Sequence, residues 1–201
     1  LILINMEFNF KKWVQIINLL SILEWKSIDK LKVLKLIWLA DRVHLRKYWK
    51  LIAWDIYLAM PLWPVASWMK NIFDQNEEYL PKQAKKYIQE YLHKYTHKVK
   101  SIKKVDYSLF SETNIEIIKE IYIKFWTKSW RELINITHNY PEWTKFEEKI
   151  NNWIISQAQM NYFDFFKNIP SQDSIFNISK DNLELSKDIF EESRQFSYLF
   201  A

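Results

Sequence analysis

LKVLKLIWLADRVHLRKYWKLIAWDIYLAMPLWPVASWMK, residues 31–70, reads as a helix, a broken connection, a short strand and the start of a second helix. Leu31, Leu34, Ile37, Trp38 and Leu45 recur at helical spacing. Ser27 as N-cap, with Asp29 in the first turn, predicts a helix over 28–48 that ends on Arg46 and Lys47, cations suited to a helix C-terminus. From Ile56 the pattern changes period: Ile56, Leu58, Met60 and Leu62 alternate with Tyr57, Ala59 and Pro61. Period two predicts a strand, and Pro61 places it at an edge. Ser67 then caps a helix through Phe73.

Trp is the odd feature of this stretch. Trp49 follows the helix, Trp54 precedes Asp55, Trp63 precedes Pro64, and Trp68 follows Ser67. The chain has 11 Trp and no Gly. Average usage would supply roughly 14 glycines in a chain of this length. Trp25, Trp49, Trp54, Trp63, Trp68 and Trp126 all stand where a turn or a helix end calls for Gly, because a Cβ is strained in the left-handed conformation. One cause accounts for both anomalies: a genetic code in which UGA specifies glycine, translated with a table that assigns Trp. Trp38 on an apolar helix face and Trp143 after Pro-Glu read as true aromatics. Trp153, beside Asn151 and Asn152, reads as Gly, and Trp13 and Trp130 fit either reading.

The totals bound the rest. At 201 residues the chain is one domain, or one domain with an appended segment. Hydrophobic residues make up 49% and aromatics 17%, enough for a core of normal size. Cys is absent, which removes disulfides, thiolate metal sites and a Cys nucleophile, and fits a cytoplasmic location. No apolar run approaches the roughly 20 residues of a membrane span. The net charge of +5 is unevenly spread: residues 82–104 carry eight Lys and one Glu, while residues 173–192 carry six acids and two Lys. The basic run reads first as a solvated face and second as a surface for phosphate or an acidic partner.

Elsewhere the periodicity predicts helices over 12–24 and roughly 81–95, the latter with Pro81 in its first turn. Tyr87, Tyr91 and Tyr95 recur every four residues as a core-facing stripe, so the basic run is expected to be helical to about residue 95, with an extended alternative for 97–110. Thr113 with Glu116, and Ser129 with Glu132, make two capping boxes. They open helices at 114–125 and from 130 to His138. Pro141 starts another helix, and Ser179 caps one over 181–193. The fold class is mainly α, a compact helical domain with a small antiparallel β element near residues 52–66.

With glycine at the turn positions, residues 31–70 resemble the Panacea domain, the SocA-like antitoxin family that includes phage-associated proteins. The family pattern falls on Lys35, Leu36, Trp38, Ala40, Asp41, Arg42, His44, Leu45, Lys47 and Tyr48, then on Asp55, Tyr57, Ala59, Met60, Pro64 and Val65. The departures are Trp49, Trp54 and Trp63, where the family has Gly. ELINITHNYPEW (132–143), with His138, is similar to the family's second block, and MNYFDFF (160–166) to a C-terminal block of some members. The resemblance implies a Panacea domain over 10–150 and a C-terminal extension over 151–201 with a terminal helix.

It also implies a bacterial antitoxin that neutralises a cognate toxin by direct protein binding, in some members as an adaptor to a AAA+ protease. Neither an enzyme activity nor a cofactor nor a metal is implied. Arg42, Arg46, Asp55 and Tyr57 are the expected partner-binding residues. The competing reading of the polar motif residues is that they hydrogen-bond the turn that follows them. Two rival functions remain: a basic nucleic-acid-binding regulator of a mobile element or prophage, and a hydrolase. The hydrolase would need Asp41, His44 and His138 to converge in one pocket. No two-His helical motif, Ser elbow or phosphate loop accompanies them.

Overall fold

The computed structural model describes residues 10–61, 63–74, 80, 82–169 and 178–199. Leu62, Pro81 and Asp173, one of the six acids counted above, lie outside the described residues. Eight helices are described: α1 (Phe10–Leu23), α2 (Lys30–Tyr48), α3 (Ser67–Asp74), α4 (Lys82–Tyr91), α5 (Glu112–Phe125), α6 (Trp130–Thr137), α7 (Pro141–Asn151) and α8 (Lys180–Leu199). Six short strands join them: β1 (Ser27–Asp29), β2 (Tyr57–Met60), β3 (Trp63–Ala66), β4 (Leu92–Lys94), β5 (Lys98–Ser101) and β6 (Ala158–Gln159). The fold is mainly α with two small antiparallel sheets, ordered β1-β5-β4 and β3-β2-β6.

Helix α2 is the axis of the molecule. Fifteen consecutive residues, from Lys32 to Arg46, are buried on all its faces. Helices α5, α6 and α8 and strand β3 pack around it. A helix buried all round needs partners for its polar side chains, which is why α2 carries both the core and the polar motif. Its N-cap is Asp29 rather than Ser27: the Asp29 carboxylate accepts from the Leu31 and Lys32 N–H groups, at 2.8 and 3.3 Å, while Ser27 is in β1. Its C-cap is Trp49, left-handed at φ 51°, with its N–H donating to the Leu45 carbonyl.

The β2–β3 hairpin falls where alternation predicted it, but β2 is a central strand. It pairs with β3 on one side and β6 on the other, and Pro61 occupies the turn. The proline inside a strand is Pro64, on edge strand β3. Residues beyond 150 enter the same core: β6 pairs with β2, and Phe165, Phe166 and Phe190 are buried in it.

Residues 82–104 are not one helix. Helix α4 stops at Tyr91, and the chain turns back as the β4–β5 hairpin onto β1. The aromatic stripe holds for Tyr87 and Tyr91, whose ring centroids are 4.7 Å apart, whereas Tyr95 is in the hairpin and 49% exposed. At α5 the capping box is Ser111 with Asn114, not Thr113 with Glu116. The Ser129–Glu132 box of α6, Pro141 in the first turn of α7 and the Ser179 cap of α8 stand where expected.

Candidate partner-binding region

The polar residues of α2 point into three separate networks. In the first, the Asp41 carboxylate accepts from the Ile52 and Ala53 N–H groups, at 2.5 and 3.0 Å, and from the Tyr57 hydroxyl at 2.7 Å. It thereby ties α2 to the connection before β2. Burial raises its pKa to about 6 against the pull of these donors. The same burial, reinforced by the Asp41 charge, pushes the Tyr57 phenol well above its ordinary value.

Asp55 continues this connection. Its two carboxylate oxygens accept from the Trp68 and Met69 N–H groups, at 2.8 and 2.9 Å, so it caps α3 from a distance in sequence. Burial pushes its pKa up to about 7. The Asp55 carbonyl accepts from the Tyr162 hydroxyl, and the Tyr57 carbonyl from the Met160 N–H. Lys35 donates to the Pro64 carbonyl at 3.2 Å, and Val65 is fully buried against this layer.

The second network is ionic. Arg42 and Glu142 form a 2.8 Å pair with both side chains wholly buried. Arg42 also donates to the Lys167 carbonyl at 2.5 Å and stacks 4.6 Å over the Tyr140 ring. One turn along, Arg46 donates to the carbonyls of Phe165 and Lys167 and to the Asn168 side chain, at 2.9, 3.1 and 2.7 Å. Burial, with Arg42 nearby, lowers its pKa to about 10. The two guanidiniums therefore hold residues 165–168 against α2. Burial raises the Glu142 pKa, and Arg42 opposes that rise.

His44 makes the third network. Its Nδ1 lies 2.6 Å from the Lys50 carbonyl, which can only accept, so Nδ1 carries the proton. Nε2 is then the acceptor for Thr113 and Asn114, both at 3.1 Å. Burial lowers the pKa to about 4, so the ring is neutral at pH 7. Tyr48 packs on it at 4.9 Å. His138 is elsewhere: it stacks on Trp143 at 3.7 Å, and Trp143 donates to the Met60 carbonyl.

This geometry answers several expectations. Asp41, His44 and His138 have different partners and do not converge. No cluster of three His, Asp or Glu able to hold a metal is found among the described residues. Arg42, Arg46, Asp55 and Tyr57, expected at a partner-facing surface, are at most 1% exposed. Their hydrogen bonds run to the chain's own backbone and side chains, so in this structure they are interior residues. Pro64 and Val65 are buried too. Sequence reasoning missed Glu142, Tyr140 and Asn168. Glu142 was in view inside PEW, but a carboxylate beside a helix-starting Pro reads as a first-turn residue, not as the partner of an Arg one hundred positions away.

The sequence model of the family described as "Antitoxin SocA-like, Panacea domain" matches residues 33–144, 112 of the 201 residues. The chain belongs to this family. No curated protein and no solved structure matches it. The matched segment holds all three α2 networks up to Glu142 and Trp143. The residues that close them from the C-terminal side, Met160, Tyr162, Phe165, Lys167 and Asn168, lie beyond it. No helix among the described residues is long and apolar enough to cross a membrane.

Proposed function

We propose that this Panacea-domain protein is the antitoxin of a two-gene system and neutralises its toxin by binding it directly, without catalysis. Membership of the antitoxin family carries the reading, and the buried networks support it. Their polar groups are engaged with the chain's own backbone and side chains, as in a scaffold that fixes the shape of an interface. Arg42, Arg46, Asp55 and Tyr57 then contribute to toxin binding by holding the β2–β3 hairpin and residues 165–168 in place. A protease-adaptor role would be an addition to this binding. Growth rescue tests the proposal: the neighbouring open reading frame is expressed alone and then with this chain. Restored growth on co-expression is expected, and a neighbour that is harmless, or toxic despite soluble co-expression, overturns the reading.

A second reading concerns the residues themselves. Five described residues have positive φ, and four are Trp: Trp25, Trp49, Trp54 and Trp153, at 51–57°. For a bulky residue this is a true outlier. We propose that the natural residue at these four positions is glycine, from a code that reads UGA as Gly. Trp63, Trp68 and Trp126 lack this backbone signature: Trp63 is in β3, Trp68 in the first turn of α3, and Trp126 is right-handed at φ −59°. Peptide masses of the protein isolated from its own host test it. Glycine is expected at the four sites, and tryptophan there refutes it.

A further inference from the structure

The hairpin that replaces the expected basic helix puts charge on one face of a sheet. Pairing of β5 with β1 and β4 sets Ser27, Lys100 and His93 side by side in one row. The next row holds Asp29 and Lys98, with Tyr95 beyond the end of β4, its N–H donating to the Lys98 carbonyl. Ile28, Val99 and Leu92 alternate with these residues and are buried, so the first set faces solvent. Lys98, Lys100, His93 and Tyr95 are all exposed, and so are Lys26 before β1 and Lys104 after β5. Acids around this face are already engaged: Asp29 caps α2, Glu24 pairs with Lys32, and Glu90 pairs with Lys103.

We infer that this sheet face is a binding surface for the phosphate backbone of single-stranded nucleic acid. Three observations select that partner over an acidic protein. All of its strand cations are Lys, a residue depleted at protein interfaces and common at phosphate contacts. Lys98 and Lys100 sit two residues apart on one strand, so their side chains leave the same face about 6.6 Å apart at the backbone. An exposed ring stands beside them: Tyr95, 49% exposed, lies 4.7 Å from His93 with the two rings steeply tilted, and it supplies an aromatic surface on which a base can stack. Lys–phosphate contacts carry no sequence information and stacking accepts any base, so binding is independent of sequence. The acids of α8, Asp181, Glu184, Asp188, Glu191 and Glu192, lie on a different element packed on α2.

The test uses the full chain and a fluorescent oligo-dT probe, with anisotropy read across a salt series. Each phosphate neutralised contributes about −0.7 to the slope of log K against log salt. Lys98→Gln with Lys100→Gln is therefore expected to flatten the slope by about 1.4. Tyr95→Ala is expected to weaken binding roughly tenfold without changing the slope. Lys180→Gln with Lys187→Gln, on α8, is expected to change neither. A slope unaffected by the sheet variants, with far-UV circular dichroism unchanged, overturns the assignment. So does equal competition by poly-glutamate, which gives the face to an acidic polypeptide. Toxin neutralisation is a separate readout, so failure here leaves the antitoxin reading standing, and the reverse.

Discussion

Replacing Trp25 and Trp153 by Gly should make the chain more stable, although it removes two large side chains. Both residues are left-handed at φ 57°, and they are 90% and 81% exposed. Little apolar burial is lost with either indole. Relief of the Cβ clash in the left-handed region is worth roughly 1–2 kcal/mol per residue. The greater freedom of Gly in the unfolded chain returns about 0.4–1 kcal/mol of that. The net gain is about 0.5–1 kcal/mol per site and about 1–2 kcal/mol for the pair if the two exposed sites act independently. For a chain of this size that raises Tm by about 2–8 °C. Trp49 and Trp54, also left-handed, are only 36% and 39% exposed. A Trp burying over half of about 200 Å² holds roughly 3 kcal/mol, so their Gly variants should be neutral or mildly destabilised. Trp143→Gly is the opposite control: the side chain is 1% exposed and donates to the Met60 carbonyl, and its loss should cost at least about 3–5 kcal/mol. Thermal and urea unfolding of the five variants check the ranking. A lower Tm for Trp25→Gly and Trp153→Gly would refute the argument that these backbones are built for glycine.

Other outcomes follow from the α2 networks. Arg42→Ala leaves Glu142 buried without its ion pair and should cost about 3–5 kcal/mol, while Arg42→Met with Glu142→Leu should recover most of that loss; urea midpoints measure both. Asp41 and Asp55 have folded pKa values raised from 3.8 to about 6 and about 7. Between about pH 4 and 7 the folded chain therefore holds more protons than the unfolded chain at these groups, and their contribution to stability falls as pH rises through that window. His44, lowered from 6.5 to about 4, acts oppositely, because its contribution is lost as pH falls from about 6.5 toward 4. Asp55→Asn should remove the larger falling part, so that the loss of stability from pH 4.5 to 6.5 is less steep than in the parent; an unchanged slope would contradict it. Tyr57→Phe removes one of three donors to Asp41 and should cost about 1–2 kcal/mol, read by thermal unfolding.

Much of the helical frame was legible because its signals are local. The Ser129–Glu132 box, Pro141, the long apolar α2 and the period-two run at β2 each depend on neighbours within a few residues. The errors came where two local signals competed or a distant partner decided. Ser27 and Asp29 are both good caps, and β1 takes Ser27 because β5 pairs with it. Ser111 and Thr113 are both good caps, and the choice falls on Ser111 with Asn114, which also reaches His44. The tyrosine stripe ran on to Tyr95 by spacing alone, although Leu92, Val99 and the pairing with β1 turn the chain into a hairpin. The motif residues were recognisable as a set, but not their burial. That depends on residues 158–168, which no pattern within α2 foreshadows.

Direct binding is the central claim, and calorimetric titration of this chain with the product of its neighbouring gene tests it most directly. The account predicts saturable heat with a fixed stoichiometry and a dissociation constant below about 1 µM, the affinity of a specific interface of standard size. No heat and no co-elution from two folded, soluble proteins would contradict it.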